Sequence, residues 1–458
     1  MPVWVIAGIL WAMKKKVSLL LFALLWLTVS CDLASRLNPA ETAVTTPGAV
    51  TNPSTNGTPA TEGTAAADMT PDIAIPTTAV TQTSPTLRVW LPPEIALSTE
   101  TGAEILNTQL AAYRSSHPDV VLTIEQKAVS GQSGILNYLR TGRTIAPSVL
   151  PDLIAIPVDQ LGPALSEELI YPLGNLVDTA LLEDLFPAAL DLVLRNNQVS
   201  GYPFVLTNLP HLVYDSNAVT QTIPSRWSGF ADMPNRFILP AHGTPAGTLG
   251  LQLYLDAGGT LTNDAGQVAL QVEPLATALQ QLFTAKNNGL ILDQSSNYTT
   301  LQESWQLLQT GAADIALTNS EQFLRQRDGS GLSIAIIPGL DRSLTPVVSG
   351  WAWAISTADP TKRALAGDLL NSLIASNQLG EWTYASNLLP ARQAAFAFWP
   401  GEDPYVIFAR EQLNRARAMP VSATSNVMTA LNNAVFDVVT LAKTPQVAAE
   451  EAAAALQQ

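Results

Sequence analysis

The side chains that could carry covalent, metal or acid–base chemistry are few. The chain holds one cysteine, Cys31, and three histidines, His117, His211 and His242. One cysteine makes neither an internal disulfide nor a cysteine zinc site. Histidines this scattered do not form a multi-histidine metal centre. His211 sits in the apolar run LPHLVYD and reads as a core histidine with a satisfied hydrogen bond. His242, between Ala241 and Gly243, reads as a loop residue able to make a polar contact. The phosphate loop GxxxxGK[ST], the GxGxxG fingerprint, the GxSxG elbow and the HExxH zinc motif do not occur. Gly131-Gln132-Ser133-Gly134 is glycine-rich but lacks the lysine of a phosphate cradle, and reads as a loop before a helix or a ligand-facing loop. Two carboxylates could still hydrolyse glycosides, because such pairs obey no short motif. The residue types point to binding ahead of catalysis, with no metal and no cofactor expected.

Length and charge set the frame for those residues. The 458 residues suggest two or three domains, and 47% hydrophobic residues suffice for a large core. A net charge of −15 argues against a nucleic-acid partner, whose phosphates call for Lys and Arg. Residues 13–31 read MKKKVSLLLFALLWLTVSC: lysines, then an apolar stretch too short to span a bilayer comfortably, then the cysteine. Residues 1–30 are read as a signal peptide whose true start is Met13. Leu27-Thr28-Val29-Ser30 resembles a lipoprotein cleavage box, which makes Cys31 the residue to be lipidated. An uncleaved anchor helix with an incidental cysteine is the alternative. The remainder of 31–86 is rich in Thr, Pro and Ala without a sustained apolar period, and reads as a disordered tether. The expected location is extracytoplasmic, anchored to the cell membrane by lipid.

The elements begin near Leu87. LRVWL (87–91), VVLTI (120–124) and DLIAIP (152–157) read as strands. Between them, Leu106, Leu110 and Tyr113 share one face of a helix that stops at His117-Pro118, and Ile135 to Leu139 belongs to a second helix. This alternation predicts a parallel sheet covered by helices. FILP (237–240), ADIAL (313–317), SIAII (333–337) and AWAI (352–355) read as further strands. Helices are expected at 247–257, 274–288, 299–310 and 361–376.

Several segments then fall in a familiar order. HPDVVLTIEQ resembles an F…P-G-I-x-V step, PDLIAIP a PDV strand, and ELIYPLGNLVD a G-x-L-x-P-L segment. QVSGYPFVLTNLPHLVYDSNAV resembles G-K-x-Y-G-x-P…LYYNKD, and IPSRWSGF resembles P-x-T-W-x-E-F. LYLDAGGTLTNDAGQVAL, LQTGAADIALTNSEQF and a closing segment from VVSGWAWAIS to LLPARQAA complete the series. Over about 87–445 the chain resembles the extracellular solute-binding proteins of ABC importers, a class holding many sugar binders. It departs from the pattern where YYNKD reads VYDSN and G-K-A-A-M reads GAADI.

The resemblance implies an α/β, two-lobed periplasmic-binding-protein-like fold with a hinge and an interlobe ligand cleft. It places chain crossings near Val205–Leu212 and Val348–Trp353. Lobe 1 is then 87–206 plus 350–398, and lobe 2 is 207–349 plus 399–458. The implied role is a lipid-anchored, monomeric receptor that hands a small solute, foremost a mono- or oligosaccharide, to membrane permease subunits. A sensor would use the same cleft, and a surface glycoside hydrolase is the enzymatic alternative. A sugar site needs aromatic faces for the ring, and amides, hydroxyls and carboxylates for its hydroxyls. Trp90 and Glu94 flank the turn after the first strand, at the carboxyl end where open α/β sheets bind ligands. Asn208 stands at the first crossing and Trp351 at the second, with one of Trp351 and Trp353 expected in the core. His242, Asn319, Ser320 and Tyr384 complete the candidate set. Tyr202, Trp382 and Arg392 read as structural. Glu94, Asp159 and Asp215 keep a polyamine open as the solute.

Overall fold

A computed structural model describes residues 84–328 and 331–457. The expected signal peptide, Cys31 and the tether up to residue 83 lie outside the described residues. β1 (Thr86–Leu91), β2 (Val121–Gln126) and β3 (Leu153–Pro157) pair in parallel around β1. β3 is apolar at four successive positions and buried on both faces, as a central parallel strand must be. The helix Glu100–Ser116 bridges β1 and β2. Thr99 caps it through Oγ1, which accepts from the Gly102 N–H at 2.9 Å. The helix buries Leu106, Leu110 and Tyr113, the face read from their spacing, and ends where Pro118 disfavours a further helical turn.

The sheet is mixed rather than wholly parallel. A small hairpin of β4 (Leu194–Arg195) and β5 (Gln198–Val199) turns at Asn196 and Asn197, both left-handed. β6 (Tyr202–Thr207) then runs antiparallel to β11 (Val347–Ile355), and β11 runs antiparallel to β3. The parallel expectation thus holds for the βαβαβ start alone. β6 keeps the direction of β1 and β3, whereas β11 returns from the second sheet and enters between β6 and β3 from the opposite direction. β12 (Leu389–Pro390) extends the edge beside β6, and β13 (Arg417–Ala418) pairs with the start of β11.

A second sheet has the order β10-β7-β9-β8. It comprises β7 (Pro210–Tyr214), β8 (Phe237–Ile238), β9 (Ile315–Asn319) and β10 (Ser333–Ala335). The chain passes from the first sheet to the second through Asn208 and Leu209, and returns between β10 and β11. One core fills the first sheet and also takes Val213, Ile238 and Ala316 from one face of the second; another lies on the second sheet's other face. That second core is packed by the helices Gly243–Asp256, Val272–Asn287, Ser425–Val439 and Pro445–Ala455. The helix Pro404–Arg415, which the expected division gives to the second lobe, places Tyr405, Val406, Ala409 and Leu413 in the first core. Among the described residues no helix is long and apolar enough to cross a membrane.

Structural roles read from sequence are visible here. Tyr202 is buried and its hydroxyl donates to the Leu181 carbonyl at 2.9 Å. Trp382 is buried against Phe204. Buried Arg392 pairs with Asp184 at 2.8 Å.

Two buried features at the crossings give measurable consequences. A Cβ on Gly350 would fall inside van der Waals contact with the Val205 carbonyl oxygen, because β6 and β11 approach closely there. Gly350→Ala is expected to cost about 1–3 kcal/mol by forcing the two strands apart. Urea unfolding checks this. His211 is fully buried among Phe323, Tyr405 and Phe408, with Nδ1 3.2 Å from the Leu209 carbonyl. Burial pushes its pKa down from 6.5 to about 4. The unfolded chain therefore binds the extra proton first as pH falls. The stability contribution is whole above about pH 6.5 and is lost toward pH 4, by about 3 kcal/mol. Unfolding free energies of His211→Leu between pH 4 and 8 should lack this part of the wild-type slope.

Candidate functional site

Sheet register brings the first crossing and the end of β9 together. β7 pairs antiparallel with β9, with Pro210 opposite Asn319, so Asn208 lies beside the carboxyl end of β9. Asn208 has φ 60°, a left-handed backbone that Asn tolerates better than most residues. Its N–H donates to Glu321 Oε1 at 2.9 Å, and its Oδ1 accepts from Asn319 Nδ2 at 3.3 Å. Asn319 also caps the helix Ser320–Gln326, accepting from the Gln322 N–H at 2.9 Å. The Ser320 hydroxyl donates to Glu321 Oε2 at 2.9 Å. Burial pushes the Glu321 carboxyl above the usual carboxylate range, against the opposing pull of these two donors.

β8 runs parallel to β9, so its carboxyl end opens on the same side. The chain leaves β8 through Leu239 to His242 and enters the helix Gly243–Asp256. Gly243 has φ 77°, and a Cβ there would meet the Thr299 carbonyl oxygen at 2.8 Å. A pocket of about 50 Å³ lies between this helix start and the Asn208–Asn319 pair. Its polar members are the amides Asn208, Asn319 and Gln252 and the hydroxyls Thr244, Thr248 and Thr318. Pro245, Leu249, Leu301 and Ile337 give it apolar walls. At about 50 Å³ it is smaller than a sugar ring, so it offers its amides and hydroxyls to one edge of a neutral, hydroxyl-rich solute.

The other expected site residues are distributed as follows. Ser320 is buried next to Asn319 and holds Glu321. His242 stands immediately before the pocket helix, and its ring stacks on Phe436 at 3.8 Å. Trp351 is half-buried on β11, while Trp353 is buried and stacks on Phe204 at 5.0 Å. A register shift between Trp351 and Ala352 separates the two tryptophans. Trp90 is only 4% exposed, with Tyr138 edge-on at 6.1 Å and Lys127 Nζ 5.2 Å from its ring centroid. Its faces are thus occupied by the protein rather than offered to a sugar. Glu94 is exposed in the short helix Pro93–Ala96. Tyr384 is 39% exposed on the helix Ser376–Ala385 and meets Trp399 edge-on. Of the expected residues Asn208 and Asn319 line the pocket, and Trp90, Glu94, His242, Ser320, Trp351 and Tyr384 do not.

Sequence reasoning missed Glu321, Thr244, Thr248 and Gln252. Glu321 directly follows the candidates Asn319 and Ser320, and its role arises from the bend at Asn208, over a hundred residues away. The threonines sit at the start of a helix whose expected onset, residue 247, fell beyond Thr244. Among the described residues no group of three or more His, Cys, Asp or Glu could hold a metal ion.

A family model described as bacterial extracellular solute-binding protein matches residues 109–405. No curated protein sequence matches the chain. Among solved structures, the chain is similar to the cyclic alpha-maltosyl-1,6-maltose binding protein from Arthrobacter globiformis. The TM-score is 0.66 at 16% identity, covering 81% of this chain and 97% of that one. It is similar to the sugar-binding protein MalE from Xanthomonas citri, with TM-score 0.65 and 17% identity over 81% and 95% of the two chains. The extracellular solute-binding protein from Staphylococcus aureus in complex with maltose gives TM-score 0.65 and 15% identity, over 81% and 97%. Likeness at these identities establishes the architecture: two α/β lobes, a hinge and a cleft between them. Because the family match covers well over half of the sequence, the chain belongs to the bacterial extracellular solute-binding protein family.

Proposed function

We propose that the chain captures a carbohydrate, a mono- or oligosaccharide, in its hinged cleft and delivers it to the permease of an ABC importer. The family's work is extracytoplasmic binding, and the chain is a binding protein rather than an enzyme. The observation that carries the carbohydrate reading is the pocket lining, whose polar members are all amides and hydroxyls. A polyamine would call for converging carboxylates. The candidates Glu94, Asp159 and Asp215 instead stand on separate elements, and Asp215 accepts from the N–H and side-chain amide of Asn217. The names of the similar structures, which bind maltose or related glucosides, support the same class.

In this reading Asn208, Asn319 and Thr244 bond ligand hydroxyls, and half-buried Trp351 offers the ring-stacking face from the first sheet. The lobes follow the boundaries 87–206 plus 350–398 and 207–349 plus 399–458, with the helix Pro404–Arg415 reaching across to the first core. A monomer tethered by lipid at Cys31 completes the receptor.

Thermal melting of the protein with glucose, maltose, maltotriose, putrescine and spermidine tests the solute class. A ligand of the folded state raises the midpoint with concentration. At least one saccharide should do so, and a rise with spermidine alone would overturn the reading. Asn208→Gly removes the side chain while keeping a residue at ease with φ 60°. Calorimetry should show sugar affinity reduced about tenfold or more, with the ligand-free midpoint little changed. Wild-type affinity in both Asn208→Gly and Thr244→Ala would remove this pocket from the site.

A further inference from the structure

A second pocket lies on the far side of Gln252. Its volume is about 80 Å³, more than the roughly 30 Å³ share of one water molecule. Gln252 lines both this pocket and the one beside Asn208. The lining brings together Arg342, Arg417, Thr345, Asp256 and Gln252. These come from three places: the helix Gly243–Asp256, the loop between β10 and β11, and β13. The geometry points to a binding site for a small oxyanion, such as phosphate, sulfate or a carboxylate, held by Arg342, Arg417 and the Gln252 amide.

Three observations converge on this assignment. The first is an unmet donor. Gln252 is 1% exposed, and its Oε1 accepts from the Val347 N–H at 3.3 Å, which fixes the amide orientation. Its Nε2 is buried without a partner. A buried amide N–H₂ left unpaired is costly and calls for an acceptor. The second is charge. Two arginines and one carboxylate line the pocket, and Asp256 Oδ2 is already engaged by the Leu340 N–H at 2.8 Å. Among the described residues Arg342 and Arg417 form no ion pair. The pocket is thus locally cationic on a chain whose net charge is −15, and guanidinium forks suit oxyanions.

The third is a fixed frame. Arg415 donates to the Ser343 and Leu344 carbonyls at 2.8 and 3.0 Å, holding the loop that carries Arg342 and Thr345. Arg417 is positioned by β13, where it pairs with Val347 of β11. The cationic groups therefore stand on braced backbone on either side of the buried amide. A bound oxyanion would join a helix of the second core to the strand by which the chain re-enters the first sheet.

Calorimetric titration of the full chain with inorganic phosphate, sulfate and acetate, at constant ionic strength held with chloride, tests the site. Saturable one-to-one binding of at least one anion is expected, and the order among the three tells tetrahedral from carboxylate ligands. Arg342→Gln and Arg417→Gln should each weaken it about tenfold or more, and the double variant should abolish it. Both side chains are exposed, so the variants should keep the wild-type melting midpoint. Arg114→Gln, on the outer face of the helix Glu100–Ser116, should bind as wild type does. The site is overturned if no anion binds saturably, if the double variant binds as tightly as wild type, or if Arg114→Gln loses as much affinity as the pocket variants.

Discussion

The close antiparallel pairing of β6 with β11 is the contact on which the rest of the molecule depends. β6 delivers the chain to the second sheet and β11 brings it back, so both lobes hang from the same pair of strands. Their separation is set by the absence of a side chain at Gly350, where the Val205 carbonyl occupies the space a Cβ would need. Immediately beyond β6 the backbone turns left-handed at Asn208, and Glu321 takes the N–H that this turn releases. The turn and its carboxylate partner together fix how β7 starts, and so where Asn319 meets Asn208. The crossing and the pocket beside it are one piece of backbone geometry.

That arrangement has an electrostatic side. Glu321 is a carboxyl in a confined place, satisfied by one backbone N–H and one hydroxyl, and burial raises its pKa. His211, on the strand that follows, is held neutral by burial among aromatic rings. The crossing is held by hydrogen bonds, Asn208 to Glu321 and Asn319 and His211 to the Leu209 carbonyl. An ion pair stands close by, Arg327 with Asp403 at 2.5 Å, against the Tyr405 ring that packs on His211.

The sequence is most legible where structure is local. The spacing of Leu106, Leu110 and Tyr113 declares a helix face without knowledge of its partner, and the apolar run 153–156 declares a strand buried on both sides. Asn208 stands out because the family resemblance places a chain crossing there, and Asn319 because it follows the strand read at 313–317. What escapes is whatever depends on a distant partner. Trp90 looks like a stacking face until Lys127 and Tyr138 cover it, and neither is implied by the strand that carries it. His242 looks like a free polar loop until Phe436 of a late helix stacks on it. The two-residue strands β12 and β13 are too short to show any periodicity, yet β12 borders β6 and β13 pairs with the start of β11. Which of Trp351 and Trp353 enters the core turns on a register shift that no alternation rule contains, since positions two apart share a face in a regular strand.

Closure of a two-lobed receptor has to come from contacts that differ between open and closed states. Groups on one lobe alone give the same binding energy in either state and shift nothing. Asn208 belongs to the crossing itself, Asn319 to the second sheet and Trp351 to the first. A solute touching all three gains contacts only as the lobes approach, which converts its binding energy into closure. Gln252 stands behind this pocket with its Oε1 committed to the returning strand through the Val347 N–H. The wall of the pocket is therefore tied to the second crossing as well as the first. Every residue lining the pocket lies within 207–349, so a solute seated there drives closure only through what it meets on the first sheet.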